Sequence, residues 1–165
     1  MNATATTDLP GDRPIDRWFA SYSGDHQNPT NQKIHFFAVP LILWSVTALL
    51  WCIPVPGTLF NAGLWAALAS FVAWVFYNRA SRRLGYGMLL VLFGMLMLNR
   101  TLQGQIGMQG LLYAAIGVFV VAWIAQFIGH KIEGKKPSFL TDLVYLMIGP
   151  AWVLAKGYRK LGWSW

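Results

Sequence analysis

Residues 22–35 read YSGDHQNPTNQKIH, a polar stretch that lies directly before the first long apolar run of the chain. It contains His26 and His35, two of the three histidines. The third, His130, lies in the sequence GHKIE, which follows the fourth long apolar run. The pattern favours a fold in which membrane helices bring these two distant stretches together around a metal ion.

The composition indicates an integral membrane protein. Of the 165 residues, 56% are hydrophobic and only 12% are charged, whereas a soluble domain has about 25% charged residues. Four apolar stretches approach or reach the length of about 20 residues that a helix needs to cross a bilayer. We therefore predict an all-α fold, a polytopic membrane helix bundle that residues 13–165 form as one domain. A disordered tail at residues 1–12 precedes it.

The apolar runs predict about four transmembrane helices. The first is expected to be capped by Thr30 or Asn31. A shorter helical stripe before it is predicted to lie at the membrane interface and to end at Gly24. The last apolar run is interrupted by Gly149-Pro150, which favours an interfacial or re-entrant segment broken at that pair. The predicted bounds are 15–24 for the interfacial segment, 31–53, 58–78, 84–98 and 111–128 for the four spans, 99–110 for a polar loop, and 139–154 for the last run. The third span is short, and an extension to Leu102 is left open.

The basic residues predict the orientation. Twelve of the thirteen Lys and Arg lie before the first apolar run, between the second and third helices, or after the fourth, and Arg100 is the exception. The positive-inside rule places those segments in the cytoplasm, which puts all three histidines on the cytoplasmic face of a bacterial inner membrane. The net charge of +7 then reflects orientation and not nucleic-acid binding, because the aromatic residues lie mostly in the apolar runs and are not interleaved with a basic groove.

The spacing of the histidines allows a metal site only if the helix is broken between them. His26 and His35 are nine residues apart, and at about 100° per residue they would point to opposite sides of one helix. Pro29 makes a continuous helix unfavourable, so His26 can fold back over His35. His130 reaches the same face of the membrane. Imidazole suits Fe, Zn, Cu and Ni, and the spacing leaves the choice of metal open.

Other polar residues near the histidines have open roles. Asp25, Asn31 and Glu133 can accept hydrogen bonds from the second ring nitrogens. A single histidine near a membrane interface is usually an amphipathic anchor, and only the three together favour a site. The three arginines after the second helix are orientation signals or contacts to anionic lipid. Lys131 and Lys136 have the same alternatives, with the further possibility that they hold a fatty-acid carboxylate.

At these residues the chain resembles the Mpo1-like family. This resemblance implies an Fe(II)-dependent dioxygenase that acts on 2-hydroxy fatty acids and shortens them by one carbon. It also implies that His26, His35 and His130 are the iron ligands. The sequence differs from the family pattern at Ala38, Ser138 and Lys156, which leaves the metal ligands intact and bears on the substrate. The resembling positions are Tyr22, His26, Asn28-Pro29, Asn31, His35 and Pro40, then Gly129-His130, Glu133 and Pro137, with Gly149-Pro150 further on.

The leading hypothesis is therefore this dioxygenase, with Fe(II) as cofactor and a 2-hydroxy fatty acid, O2 and the lipid bilayer as partners. In this hypothesis Glu133, Asp25 and Asn31 orient a ligand or move a proton. Substrate binding is assigned to Lys131, Lys136 and Tyr22. Two alternatives remain: a non-enzymatic carrier or assembly factor, and a haem or quinone redox protein with histidine ligands.

Overall fold

The computed structural model describes residues 14–57, 61–134 and 139–163. This part of the chain is all-α and contains no strand, which confirms the all-α part of the predicted fold class. The predicted disordered tail, residues 1–12, lies outside the described residues. The five helices are α1 (Pro14–Asp25), α2 (Pro29–Trp51), α3 (Leu64–Ala80), α4 (Arg82–Glu133) and α5 (Phe139–Lys160).

Helix α1 forms where the apolar stripe predicts it. Ile15, Phe19 and Tyr22 follow one another at four- and three-residue spacing and are all buried. They pack in a core with Leu84 and Trp152, so the stripe faces protein and not the open membrane interface. The helix continues through Gly24 to Asp25, so the predicted end at Gly24 is one residue too early.

Helix α2 begins at Pro29, two residues before the predicted start. Its N-cap is Asn28, whose side chain accepts hydrogen bonds from the backbone N–H groups of Thr30 and Asn31 at 2.9 and 3.4 Å. The predicted caps, Thr30 and Asn31, are therefore wrong. Proline suits the first helical position because it has no N–H to leave unpaired and its φ is already helical.

Helix α3 begins at Leu64, later than the predicted start at residue 58, and residues 58–60 lie outside the described part. Its N-cap, Gly63, has a left-handed φ of 91°. A Cβ at Gly63 would overlap the Trp51 ring. Glycine therefore permits both the backbone turn and the close approach to α2 at this point.

The predicted loop at residues 99–110 is wrong, because these residues belong to α4 and are helical apart from Gly107. Gly107 has φ 73° and ψ 171°, a conformation almost restricted to glycine. It joins a first arm, residues 82–106, to a second arm, residues 108–133. The arms run in opposite directions, because Gln103 contacts Trp51 at the end of α2 whereas Gly129 lies against Asn31 at its start.

Helix α5 contradicts the predicted break at Gly149-Pro150, because it continues through this pair. Gly149 instead allows close packing: a Cβ there would lie 3.3 Å from the Tyr22 hydroxyl and 3.4 Å from Val39. The Gly-Pro pair thus brings α5 against α1 and α2 beside the histidines.

Two of these helices, α2 and α4, are long and apolar enough to cross a membrane. Large apolar side chains are also exposed along α3 and both arms of α4, as expected of a surface in contact with lipid and unusual for a soluble monomer. These features support a membrane protein, and the predicted count of four spans stays a prediction. The more exposed of these side chains include Phe71, Val72, Leu90, Phe93, Tyr113, Val121, Ile124 and Phe127.

Candidate metal centre

His26 and His35 face each other where α1 meets α2. His26 is the first residue after α1, and His35 lies in the second turn of α2. The two Nε2 atoms are 3.1 Å apart. Both side chains are almost completely buried, with 1% and 2% of their surface exposed. The three-residue turn before Pro29 folds His26 back over α2, as the sequence predicted.

The second nitrogen of each ring has a fixed partner. His26 Nδ1 lies 2.6 Å from the carbonyl oxygen of Tyr22, and His35 Nδ1 lies 3.0 Å from that of Asn31. A carbonyl can only accept, so each Nδ1 carries the proton and donates it. In the neutral rings both Nε2 atoms then point a lone pair at the other, and a cation between or beside them would remove this repulsion.

Protonation of His26 is a poor substitute for that cation. Burial lowers the pKa of His26 below its ordinary value, and the nearby His130 acts in the same direction. The Tyr22 carbonyl, Glu133 and Asp25 oppose the shift without reversing it. The pair is thus set up as two neutral ligands, the form in which imidazole binds metals.

His130 completes the cluster from the end of α4. Its ring centroid is 5.6 Å from that of His26 and 5.2 Å from that of His35. One nitrogen from each of the three rings lies within 4.8 Å of the others. Gly129 allows this approach, because a Cβ there would overlap the Asn31 side chain. Three imidazoles on one side of a shared point fit Fe, Zn, Cu or Ni.

Glu133 does not join the cluster but holds the turn that carries His26. Its carboxylate accepts hydrogen bonds from the backbone N–H groups of Gln27 at 2.7 Å and Asn28 at 3.0 and 3.1 Å. It also accepts from Asn31 Nδ2 at 2.8 Å. These contacts link the end of α4 to the start of α2, so the carboxylate positions backbone that bears two of the histidines.

Asn31 lies between the Glu133 carboxylate and the histidines. The side chain is fully buried, and its Nδ2 is committed to Glu133. Its Oδ1 is also buried and has no hydrogen-bond partner in the described structure. The same residue accepts from His35 through its backbone oxygen. Asn31 therefore orients a predicted ligand through its main chain and leaves one buried side-chain acceptor free.

A cavity of about 50 Å³ opens beside the three histidines. Its volume matches only a few water-sized molecules, so a metal ion with small ligands fits there. One side of the cavity is polar and the other is apolar, lying between α2, α5 and the second arm of α4. The lining residues are Tyr22, His26, His35, Val39, Ile42, Trp123, Gln126, His130, Leu146 and Pro150.

The remaining predicted site residues differ in whether they line the cavity. Tyr22 lines the cavity and stacks on His26 with ring centroids 4.1 Å apart. Asp25 is half-buried next to His26, and Lys131 is exposed and does not line the cavity. Lys136 lies outside the described residues. The structure thus brings Tyr22 into the cavity wall but places Lys131 away from it.

Two groups beside the site were not assigned to it from sequence, although Lys156 was noted as a difference from the family pattern. Trp152 packs on Tyr22 and donates from Nε1 to Ser23. Lys156 lies 3.7 Å from the centre of the Trp152 ring and donates to Gln32 at 2.8 Å. Burial, followed by two neighbouring cations, lowers the pKa of Lys156. The one-turn spacing of Trp152 and Lys156 on an amphipathic last helix was the available signal.

Gln126 was also missed. It lies one helical turn before His130, lines the same cavity and is 7% exposed. A polar residue inside an apolar run at i−4 from a histidine places both on one helix face. That spacing was the signal that could have identified it.

Taken together, the described residues form an all-helical fold with two helices of membrane-spanning length and a buried cluster of three histidines at the meeting point of α1, α2 and α4. The model of the family described as 2-hydroxy-palmitic acid dioxygenase Mpo1-like matches residues 13–161, and the chain belongs to this family. It is also similar to the Saccharomyces cerevisiae protein named 2-hydroxy-palmitic acid dioxygenase MPO1. The two are 27% identical over 143 residues, which cover 86% of this chain and 78% of the yeast protein. No solved structure gave a significant match.

Proposed function

We propose that this protein is an Fe(II)-dependent dioxygenase that converts 2-hydroxy fatty acids to fatty acids one carbon shorter. Family membership and the similarity to the yeast dioxygenase support the reaction class. The observation that carries the metal assignment is the His26–His35 contact, where two buried Nε2 atoms lie 3.1 Å apart while both Nδ1 protons are given to carbonyls. Such a pair is suited to a cation.

His26, His35 and His130 would hold the iron through one nitrogen each. Bound there, Fe(II) would supply the redox chemistry that lets O2 react with an organic acid, with coordination positions left open by the three protein ligands. Glu133 stays a positioning residue in this proposal, because its carboxylate is occupied by Gln27, Asn28 and Asn31. Asp25 lies beside His26 and is retained as a group that can move a proton.

The cavity would receive only the head group of the substrate. Its volume of about 50 Å³ cannot contain a long acyl chain. The apolar wall formed by Val39, Ile42 and Leu146 would direct the chain outward between α2 and α5. Each methylene that leaves water there contributes about 0.8 kcal/mol to binding, so the tail supplies affinity while the polar side of the cavity selects the head group.

The reaction balances without a further reductant. Cleavage between C1 and C2 oxidises the hydroxyl-bearing carbon to the new carboxylic acid, and C1 leaves as carbon dioxide. The four electrons reduce one O2, with one oxygen atom entering the new acid and the other leaving as water. The 2-hydroxyl group sets C2 at the oxidation level at which one O2 completes the cleavage, whereas an acid without it would have to lose six electrons, two more than one O2 accepts.

The membrane arrangement is part of the proposal. The two arms of α4 have about 25 residues each and α3 has 17, lengths within or close to the range that crosses a hydrocarbon core of about 30 Å. With α2 they would make four spans. The basic segments then face the cytoplasm, which places the histidine cluster on the cytoplasmic side of a bacterial inner membrane.

The proposal is tested with protein purified in lipid nanodiscs, loaded anaerobically with Fe(II) and then supplied with O2 and 2-hydroxypalmitate. The expected product is the fifteen-carbon acid, and palmitate should not react. Gln109→Ala, an exposed change at the opposite end of the second arm of α4, should keep full activity, whereas His130→Ala should abolish it. Conversion that persists without iron, or in His130→Ala, would reject the assignment.

A further inference from the structure

Gln126 is a buried polar side chain with no partner. It is 7% exposed and lines the cavity beside His26, His35 and His130. Within the described residues its carboxamide makes no hydrogen bond, in contrast to Asn31, whose Nδ2 is bound to Glu133. The carboxamide is not among the fully buried unpaired groups and is open to the cavity, so a ligand that enters the cavity can supply its missing hydrogen bonds.

A second unpaired donor lies on the same helix face. Trp123 lines the cavity, and its Nε1 is buried without a hydrogen-bond partner. Trp123, Gln126 and His130 are spaced three and four residues apart, so they form one stripe along the second arm of α4. The stripe places two uncommitted polar groups next to one of the three histidines.

The chemistry of the carboxamide indicates what it binds. A hydroxyl group both donates and accepts a hydrogen bond, and a carboxamide offers both an NH2 donor and a carbonyl acceptor. The carboxamide is neutral, so it cannot balance the charge of a carboxylate, which a bound metal ion would do. No lysine or arginine lines the cavity among the described residues. The neutral part of the head group, the 2-hydroxyl, is therefore the better partner for Gln126.

We propose that Gln126 is the residue that recognises the 2-hydroxyl group and so selects 2-hydroxy acids over unsubstituted fatty acids. This inference rests on the proposed function. A site built to hydrogen-bond a hydroxyl discriminates strongly against the analogue without it, because the buried partner is then left unpaired. Removing the carboxamide should therefore weaken binding of the 2-hydroxy acid and leave binding of the unsubstituted acid nearly unchanged.

The test compares Gln126→Met, which keeps the length but not the hydrogen bonds, with Gln126→Glu, which keeps the shape and replaces the donor. Asn99→Leu is the matched control, since Asn99 is a fully buried amide on the first arm that hydrogen-bonds Thr47 and lies outside the cavity. Each protein is loaded with Co(II), whose visible spectrum reports the metal site without turnover. Calorimetry then gives the Kd values for 2-hydroxypalmitate and palmitate.

Gln126→Met should keep the Co(II) spectrum and bind 2-hydroxypalmitate about tenfold more weakly or worse, as loss of one buried hydrogen bond implies. The Kd of this variant for palmitate should stay near that of the wild type, so the preference for the hydroxylated acid collapses. Gln126→Glu should weaken binding of both acids, because its negative charge faces their carboxylates. An unchanged preference in Gln126→Met, or an equal loss in Asn99→Leu, overturns the role of Gln126. Failure of the wild type to bind Co(II) in a histidine-dependent way rejects the proposed function instead, so the two failures are distinct.

Discussion

The Nε2 atoms of His26 and His35 lie 3.1 Å apart, although His26 directly follows α1 and His35 lies within α2. Each ring is fixed by a carbonyl one helical turn before it, Tyr22 for His26 and Asn31 for His35. The orientation of both ligands is therefore set by helical backbone and not by a distant carboxylate. This makes the pair a rigid half of a metal site to which His130 adds the third nitrogen.

The first prediction concerns metal content. Purified wild-type protein should bind one Fe(II) or Co(II) per chain, because the three nitrogens within 4.8 Å of one another define one site. His35→Ala leaves only two imidazoles. Removal of a residue that merely supports a metal ligand weakens metal binding about tenfold to a hundredfold, so loss of the ligand itself should weaken binding by more. Elemental analysis after equilibrium dialysis measures this. Equal metal content in wild type and His35→Ala would show that the ion binds elsewhere.

The second prediction concerns the contact between α2 and α4. Gly129→Ala should weaken Co(II) binding, because the new Cβ would overlap the Asn31 side chain and move His130 away from its partners. Gly117→Ala is the matched control on the same arm, since nothing lies within 4 Å of a Cβ there. The control should bind metal like the wild type and be slightly more stable, as alanine favours helix by about 1 kcal/mol. Co(II) titrations of the two variants decide the point, and identical affinities would contradict the close approach.

Part of the fold follows from local sequence. Apolar spacing identifies α1, and Pro29 with the preceding polar residues identifies the turn that lets His26 fold over α2. The distribution of Lys and Arg along the chain predicts that His130 lies at the same end of the bundle as His26 and His35. These signals are local or additive along the chain, so they can be read without knowing which helices touch.

The rest depends on contacts between distant residues. Residues 99–110 have the composition of a loop, yet Gln103 accepts from Trp51 and Asn99 donates to Thr47. These partners lie on α2, so Gln103 and Asn99 each find one hydrogen bond within the bundle and no loop is needed. The hydrogen bonds of Glu133 to Gln27 and Asn28 likewise could not be predicted from sequence, because these residues are more than a hundred positions away in the chain. Gln126 gives only a weak signal because it stands alone within an apolar run.

The third prediction concerns the reversal within α4. Gly107→Ala should destabilise the hairpin, because its φ of 73° and ψ of 171° are strained for any residue with a Cβ, at a cost of about 1–3 kcal/mol. Gly104→Ala, three residues earlier, has ordinary helical backbone and open space around a Cβ, and should not destabilise the protein. Thermal unfolding in nanodiscs compares the two. If Gly107→Ala melts with the wild type, the two arms are not joined by this backbone conformation.

The last prediction separates positioning from catalysis at Glu133. The carboxylate is occupied by the N–H groups of Gln27 and Asn28 and by Asn31 Nδ2. Glu133→Ala removes all of these acceptors and should lower both the melting temperature and the affinity for Co(II), since the turn that bears His26 loses its support. Glu133→Gln keeps one acceptor oxygen and should retain part of both properties. In the iron-loaded enzyme, activity should follow the fraction of protein that holds metal, with kcat per bound iron close to that of the wild type. A residue that moves a proton gives the opposite pattern: Glu133→Gln would then bind metal normally and lose kcat.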